Sequence, residues 1–200
     1  MKLTLASSSE YRKTILKKLC IPFDAISPEI DESAINNESI NDQVLRLAIN
    51  KAQAISKLKP THYVIGSDQL ASCNGQTLGK PGNFQKAKSQ LLMMSDQTVT
   101  FHTGLCLANH STNQLEFLVE LFEVKFKPLT EKQISIYLNI EQPYNCAGSF
   151  KSEGLGIALF DSLSGRDPNT LMGLPLIALI GMFKNLSVDL FDYMQNSDMQ

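Results

Sequence analysis

Short strand-like runs alternate with helical ones along almost the whole chain, and that alternation predicts an α/β fold. Three stretches carry the prediction. At the start, Leu3, Leu5 and Ala6 form a short strand, and apolar residues then fall at helical spacing at Tyr11, Ile15, Leu16 and Leu19. In the middle, a helical pattern over 41–57 leads into Tyr63, Val64 and Ile65, which are strong strand formers. Further on, two long β-rich runs, 98–108 and 115–126, are joined by a polar turn and read as an antiparallel hairpin. A length of 200 residues suffices for one domain, or for two lobes that share one sheet.

Composition narrows the class. The formal net charge is −2, which argues against a protein that coats nucleic acid while leaving room for a local basic pocket. No apolar run approaches the roughly 18 residues of a membrane span, and no secretory signal is visible. Cys20, Cys73, Cys106 and Cys146 are scattered, with no Cys-x-x-Cys pair, so reduced thiols are expected. His62, His102 and His110 have no metal-type spacing. The expectation is a cytoplasmic enzyme or binding protein with neither membrane nor nucleic acid as partner.

The first candidate site is the junction after the first strand. Ser7, Ser8 and Ser9 lie between strand and helix, where backbone N–H groups and hydroxyls converge on the positive end of the helix dipole. Arg12 stands in the first turn, where the dipole alone favours an acid, so it suits a ligand's negative charge. The same residues also make an ordinary serine N-cap followed by a surface arginine. There are no glycines and no Walker-type lysine, so the usual P-loop does not apply.

Further along, residues 21–26 suit a short strand, and Asp31 and Glu32 are adjacent acids in a polar loop, interesting only if other ligands converge on them. In the helix over 41–57, Val44, Leu45, Ala48, Ala52 and Ile55 form the apolar side; Lys51 borders it, placed to snorkel or to reach a pocket. The strand beginning at Tyr63 is expected to end in Gly66-Ser67-Asp68, which would present the Asp68 carboxylate to a pocket or use it in a turn. It resumes at 70–72 and folds back at Asn74-Gly75. Lys80 stands between Gly79 and Pro81, on a loop that proline stiffens. A helix is predicted over 84–94 and another over 130–138. The stretch 146–156, rich in glycine and serine, predicts a loop or bent strand in which Lys151 and Glu153 would share a face if extended. An apolar helix over 171–186, entered at Gly173-Leu-Pro175, closes the chain.

In chain order stand Leu5-Ala-Ser-Ser-Ser-x-Tyr-Arg12, Asp31-Glu32, Lys51-Ala52, Ile65-Gly-Ser-Asp-Gln69, Gly79-Lys-Pro81, Ala147-Gly-Ser-Phe150 and Gly173-Leu-Pro175. The series resembles the Maf family of nucleoside triphosphate pyrophosphatases over essentially the whole chain. Tyr11, Asp68-Gln69 and Phe150-Lys-Ser-Glu153 give it the look of the 7-methyl-GTP pyrophosphatase branch. One departure is Glu10, where the family usually has proline; glutamate is well tolerated at a helix start, so little functional cost follows.

The resemblance implies one domain over 1–195, two-lobed, with an elongated mixed sheet flanked by helices and a cleft between the lobes, similar to the inosine-triphosphate pyrophosphatase fold. Residues 196–200 would be a frayed tail. It implies hydrolysis of a nucleoside triphosphate to the monophosphate and pyrophosphate with a divalent cation, Mg²⁺ or Mn²⁺. On this reading Asp68 is the proton acceptor, and Glu32 is the second acid, sharing the metal with Asp68. Ser7, Ser8, Arg12, Lys51 and Lys80 hold the phosphates. Tyr11, Gln69 and Glu153 select the base. Glu153 can accept both N1–H and the 2-amino group of guanine. An aromatic face at Tyr11 would gain about 0.5–2 kcal/mol over a ring made cationic by N7 methylation. The rival readings are a pyrophosphatase for dTTP, UTP or CTP, and a nucleotide-binding regulator of cell division without turnover. A homodimer is a further expectation from the resemblance.

Overall fold

The computed structural model describes residues 1–194. The tail expected at 196–200 lies outside them. Two compact units emerge: Met1–Gln69 with Thr103–Glu120 and Asp167–Gln200, and Leu70–His102 with Leu121–Arg166. The fold is mixed α/β, with an open sheet flanked by helices, as predicted.

In the first unit, β1 (Leu3–Leu5) runs parallel to β2 (Asp24–Ala25) and to the start of β3 (Tyr63–Cys73), with Leu3 opposite Tyr63 and Leu5 opposite Ile65. β5 (Thr98–Asn109) and β6 (Gln114–Phe126), which contribute residues 103–109 and 114–120 to this unit, follow in the order β2-β1-β3-β5-β6. Alternation sorts the core onto two faces. Leu3, Leu5, Ile65, Leu105 and Leu107 join α1 (Glu10–Lys17) and α5 (Leu176–Asn185) in one cluster. Val64, Cys106 and Ala108 join the other, with Ala48, Ala52 and Ile55 of α2 (Ile40–Leu58).

Helix α2 starts because Ser39 caps it: the Ser39 hydroxyl accepts from the Asp42 backbone N–H at 3.1 Å. It lies unusually close to the strands. A Cβ added at Gly66 would sit 2.1 Å from the Ala48 carbonyl oxygen, and one at Gly104 would sit 2.1 Å from that of Val44. Two glycines on the sheet and two alanines on the helix thus remove the side chains that would hold these backbones apart.

In the second unit, β4 (Gln76–Leu78) folds back antiparallel onto the end of β3, with Ala71 opposite Leu78. β7 (Phe160–Ser164) pairs antiparallel with β6. α3 (Phe84–Met94) and α4 (Glu131–Glu141) bury Ala87, Leu91 and Met94, and Ile134, Tyr137 and Leu138. Phe126, Phe150 and Phe160 meet edge to face with centroids 5.0–5.4 Å apart, and Phe101 adds an edge contact to Phe150 at 5.5 Å.

Some expectations need correction. β3 does not stop at Asp68 but continues unbroken to Cys73, because antiparallel pairing with β4 takes over beyond the parallel pairing with β1. Of the loop or bent strand expected over 146–156, the structure takes the loop: a short 3-10 turn at Ala147–Ser149 and a turn over 152–154 precede a 3-10 run at Leu155–Leu159. Lys151 and Glu153 therefore share no strand face. The last helix does start at the Gly173-Leu-Pro175 step, as expected: a 3-10 turn (Pro168–Met172) ends at Gly173 in the left-handed region, φ 92°, and α5 begins directly after Pro175. Tyr11, assigned to the apolar spacing of α1, is 44% exposed, and the buried face of that helix rests on Ile15 and Leu16.

Candidate functional site

The residues singled out in the first unit gather where β1 ends and β3 runs on. The last pair between these strands is Leu5 with Ile65; β1 then turns away, and Ala6 N–H donates to the Ile65 carbonyl at 2.8 Å. Residues 66–69 of β3 thereby lose their parallel neighbour. The carboxyl ends of parallel strands are a general place for ligands in α/β folds.

On the α2 face of β3, Asp68 follows Gly66 by one pleat and meets the helix. Lys51 Nζ lies 2.7 Å from Asp68 Oδ1 and 2.8 Å from Glu32 Oε1. Lys51 is buried, Asp68 mostly covered and Glu32 exposed at its outer end. Lys51 does not snorkel to solvent; its ammonium is buried against the two carboxylates. The close approach allowed by Gly66, Ala48 and Ala52 brings the ammonium within reach of the strand.

The loop that carries Glu32 is itself anchored. Arg46 of α2 donates from Nε and Nη2 to the two oxygens of Glu38 at 2.6 and 2.7 Å, and from Nη2 to the Ser33 carbonyl at 3.1 Å. The neighbouring Asp31 turns inward on its own loop, accepting from Ser33 N–H at 2.9 Å, and hydrogen bonds from Ser33 hold its pKa below the ordinary value. Of the adjacent acids, Glu32 joins Lys51 and Asp31 shapes the turn.

On the opposite face of β3 lies the serine-rich junction. Ser9 is the N-cap of α1, accepting from the Arg12 N–H at 3.4 Å. The buried Ser7 accepts from Ser9 N–H at 3.1 Å and from Arg12 Nη1 at 3.5 Å, while Ser8 faces outward. Arg12 Nε donates to the Gly173 carbonyl at 2.9 Å. Burial pushes the pKa of this guanidinium down, and the nearby charges of Asp68 and Glu32 pull it up. Gln69 donates its amide hydrogens to the Thr170 carbonyl at 2.6 Å and the Thr103 hydroxyl at 2.8 Å. Its Nε2 is thus committed to the protein, and Oε1 remains to accept.

Lys80 and Glu153 belong to the second unit, and both are exposed. The Lys80 loop is held on each side, with Gln90 Nε2 donating to the Gly79 carbonyl at 3.1 Å and Gly82 N–H donating to the Tyr144 carbonyl at 2.9 Å. Glu153 sits in a turn, where Ser152 Oγ approaches it at 3.3 Å. Lys151 pairs with Glu141 at 3.2 Å.

Sequence reasoning missed Thr103, Thr170 and Asp167. Asp167 is buried and accepts from the N–H groups of Asn169 and Ile177, both at 2.8 Å, fixing the turn that carries Thr170 and Gly173 against the start of α5. An Asp-Pro pair ahead of the glycine was a visible capping signal for that turn. The contacts to Arg12, 161 residues away, left no local trace.

The donor set at Lys51 fits a hard divalent cation. Asp68 and Glu32 offer carboxylate oxygens to a single positive charge, and Mg²⁺ commonly takes one or two carboxylates with waters and phosphate oxygens completing its shell. Among the described residues no group of three or more His, Cys, Asp or Glu forms a metal cage. Among the described residues, too, no helix is long and apolar enough to cross a membrane.

Comparison with known proteins agrees over most of the chain. A family model described as Maf-like protein matches residues 2–186. A 7-methyl-GTP pyrophosphatase of Pseudoalteromonas atlantica is 58% identical over 195 residues, covering 98% of this chain and 100% of that protein. A protein of the same description from Colwellia psychrerythraea is 53% identical over 94% of each. Among solved structures, the Ham1 protein of Staphylococcus aureus is similar with a TM-score of 0.53 at 13% identity, covering 93% of this chain and 100% of that one. At that identity the likeness concerns the fold alone.

Proposed function

The chain belongs to the Maf family, and on that premise we propose that it hydrolyses 7-methyl-GTP to 7-methyl-GMP and pyrophosphate, removing a modified nucleotide before it enters nucleic acid. The observation that carries the reading is the buried Lys51 ammonium bridging Asp68 and Glu32, with the half-buried Arg12 guanidinium near enough to feel both carboxylate charges. Charged groups perturbed by specific partners are functional-site candidates, and a triphosphate is a ligand that these could share. Relatives 53% and 58% identical carry the 7-methyl-GTP pyrophosphatase description, which supports this choice of base.

In the proposed reaction a water oxygen bonds to the α-phosphorus. The bond from that phosphorus to the bridging oxygen breaks, and pyrophosphate leaves with the electron pair. Asp68 accepts the water's proton. Lys51 engages Oδ1, so Oδ2 takes it, and the ion pair keeps the carboxylate oriented. Arg12, Lys51 and the Ser7–Ser8 junction hold phosphate oxygens, with Lys80 assigned the same role from the resemblance. Glu32 and Asp68 would hold the Mg²⁺ or Mn²⁺, which when bound screens the phosphate charge and polarises the phosphoryl group.

Glu153 accepts the two guanine donors, Tyr11 offers its face to the cationic ring, and Gln69 acts through Oε1. A reducing, cytoplasmic setting belongs to the same reading, in keeping with four scattered cysteines that form no Cys-x-x-Cys pair. A homodimer is proposed from the family resemblance, with sizing chromatography as its check.

The test is product analysis with Mg²⁺ on 7-methyl-GTP, GTP, dTTP, UTP and CTP. Pyrophosphate chiefly from 7-methyl-GTP, with Glu153→Gln lowering that preference, supports the reading. Equal or faster turnover of pyrimidine triphosphates replaces the substrate. Tight binding without turnover makes the protein a nucleotide-binding regulator.

A further inference from the structure

We propose that Ser67 is a positioning residue for Arg12, acting through the Gly173 carbonyl; the proposal rests on reading Arg12 as a phosphate ligand. The Gly173 oxygen accepts from Ser67 Oγ at 2.8 Å and from Arg12 Nε at 2.9 Å, so both of its lone pairs are used. Ser67 is fully buried, and its side chain leaves β3 on the face opposite Asp68.

The carbonyl needs such a restraint. Gly173 occupies the left-handed region at φ 92°, and glycine resists reorientation of its peptide less than any other residue. A Cβ at this position would approach Arg12 Nε to 3.3 Å and Nη2 to 3.4 Å, so the guanidinium lies directly against the backbone here. The other side of the turn is clamped by Gln69 Nε2 on the Thr170 carbonyl at 2.6 Å. Ser67 and Gln69, which flank Asp68 in sequence, thus grip the turn at two carbonyls.

The consequence is an arginine aimed by its Nε. With that hydrogen bond fixed and Nη1 leaning on Ser7 at 3.5 Å, the guanidinium plane has one orientation, and its terminal nitrogens are presented as a fork for phosphate oxygens. One short segment of β3 therefore sets the base on one face and the cation on the other. Replacing Ser67 by alanine removes a donor and strands none, since the carbonyl keeps Arg12 as a partner. The fold should tolerate the change while the aim of Arg12 loosens.

The experiment is a double-mutant cycle on the full chain, with inorganic triphosphate as the probe and calorimetry as the readout. Ser67→Ala is expected to weaken binding by roughly tenfold, Arg12→Ala by roughly a hundredfold, and the double variant by no more than Arg12→Ala alone. Ser67→Cys, nearly isosteric with a weaker donor, should fall between wild type and alanine, and it serves if the alanine variant does not fold. In nucleotide turnover, the same change should raise KM more than it lowers kcat. Wild-type affinity in the serine variants, or losses that multiply in the double variant, would overturn the positioning role. Wild-type protein that binds no triphosphate would instead overturn the phosphate role of Arg12, and the proposal with it.

Discussion

Lys51 Nζ and Asp68 Oδ1 are 2.7 Å apart, a helix residue and a strand residue joined only because α2 lies against the sheet at backbone contact distance. The same ammonium holds Glu32 at 2.8 Å. Removing the charge from Lys51 should leave two carboxylates with no cation between them. Lys51→Met is expected to lower stability by about 1–3 kcal/mol, below the cost for a fully buried pair because Glu32 is well exposed. Mg²⁺ should then raise the unfolding midpoint more in the variant than in wild type, since a cation that binds only the folded state stabilises by mass action. Equal Mg²⁺ shifts in the two proteins would mean that Asp68 and Glu32 do not form the cation's site.

Asp68→Asn separates chemistry from architecture. The amide oxygen can still accept from Lys51, so the unfolding midpoint should move little, while on the proposal that Asp68 takes the proton turnover should fall by about 10²–10⁴-fold. Retained turnover would remove Asp68 from the chemistry.

Gly66 sets the distance on which that pair depends. Alanine there would place its Cβ 2.1 Å from the Ala48 carbonyl oxygen and 2.7 Å from the Ala52 nitrogen, both backbone atoms that cannot swing aside. Gly66→Ala should cost about 2–4 kcal/mol and, by forcing α2 outward, lower kcat in whatever fraction still folds. A near-native denaturation curve would show that the helix accommodates the methyl.

Cys106, deep between the sheet and α2, has its thiol pushed by burial from the ordinary 9.0 up to about 12. The folded state therefore keeps a proton that the unfolded chain releases. Stability from this group is complete below pH ~9 and declines as the pH rises from there toward about 12. Cys106→Ala should flatten the alkaline arm of the stability profile. In native wild-type protein the exposed Cys20 should react with a thiol reagent well before Cys106 does.

Local pattern alone indicated much of the molecule. Helix α3 occupies the predicted 84–94, the capped start of α2 falls within a residue of its expected place, and the serine cap ahead of Arg12 is present. These features depend on residues within a few positions of one another, so periodicity and capping report them directly. The ordered series of motifs likewise identified the family without any three-dimensional information.

What the sequence by itself determined is the inventory: which acids, cations and hydroxyls the chain carries, and on which elements. The tertiary structure alone decided their grouping. Lys51 reaches Asp68 because two glycines and two alanines let a helix approach a strand. Gln69 commits one amide hydrogen to the Thr170 carbonyl, 101 residues on, and the other to the Thr103 hydroxyl of β5, and Arg12 is aimed by the carbonyl of Gly173. Such contacts follow from the packing of a core assembled from distant segments, and packing leaves no periodicity for a linear reading to find.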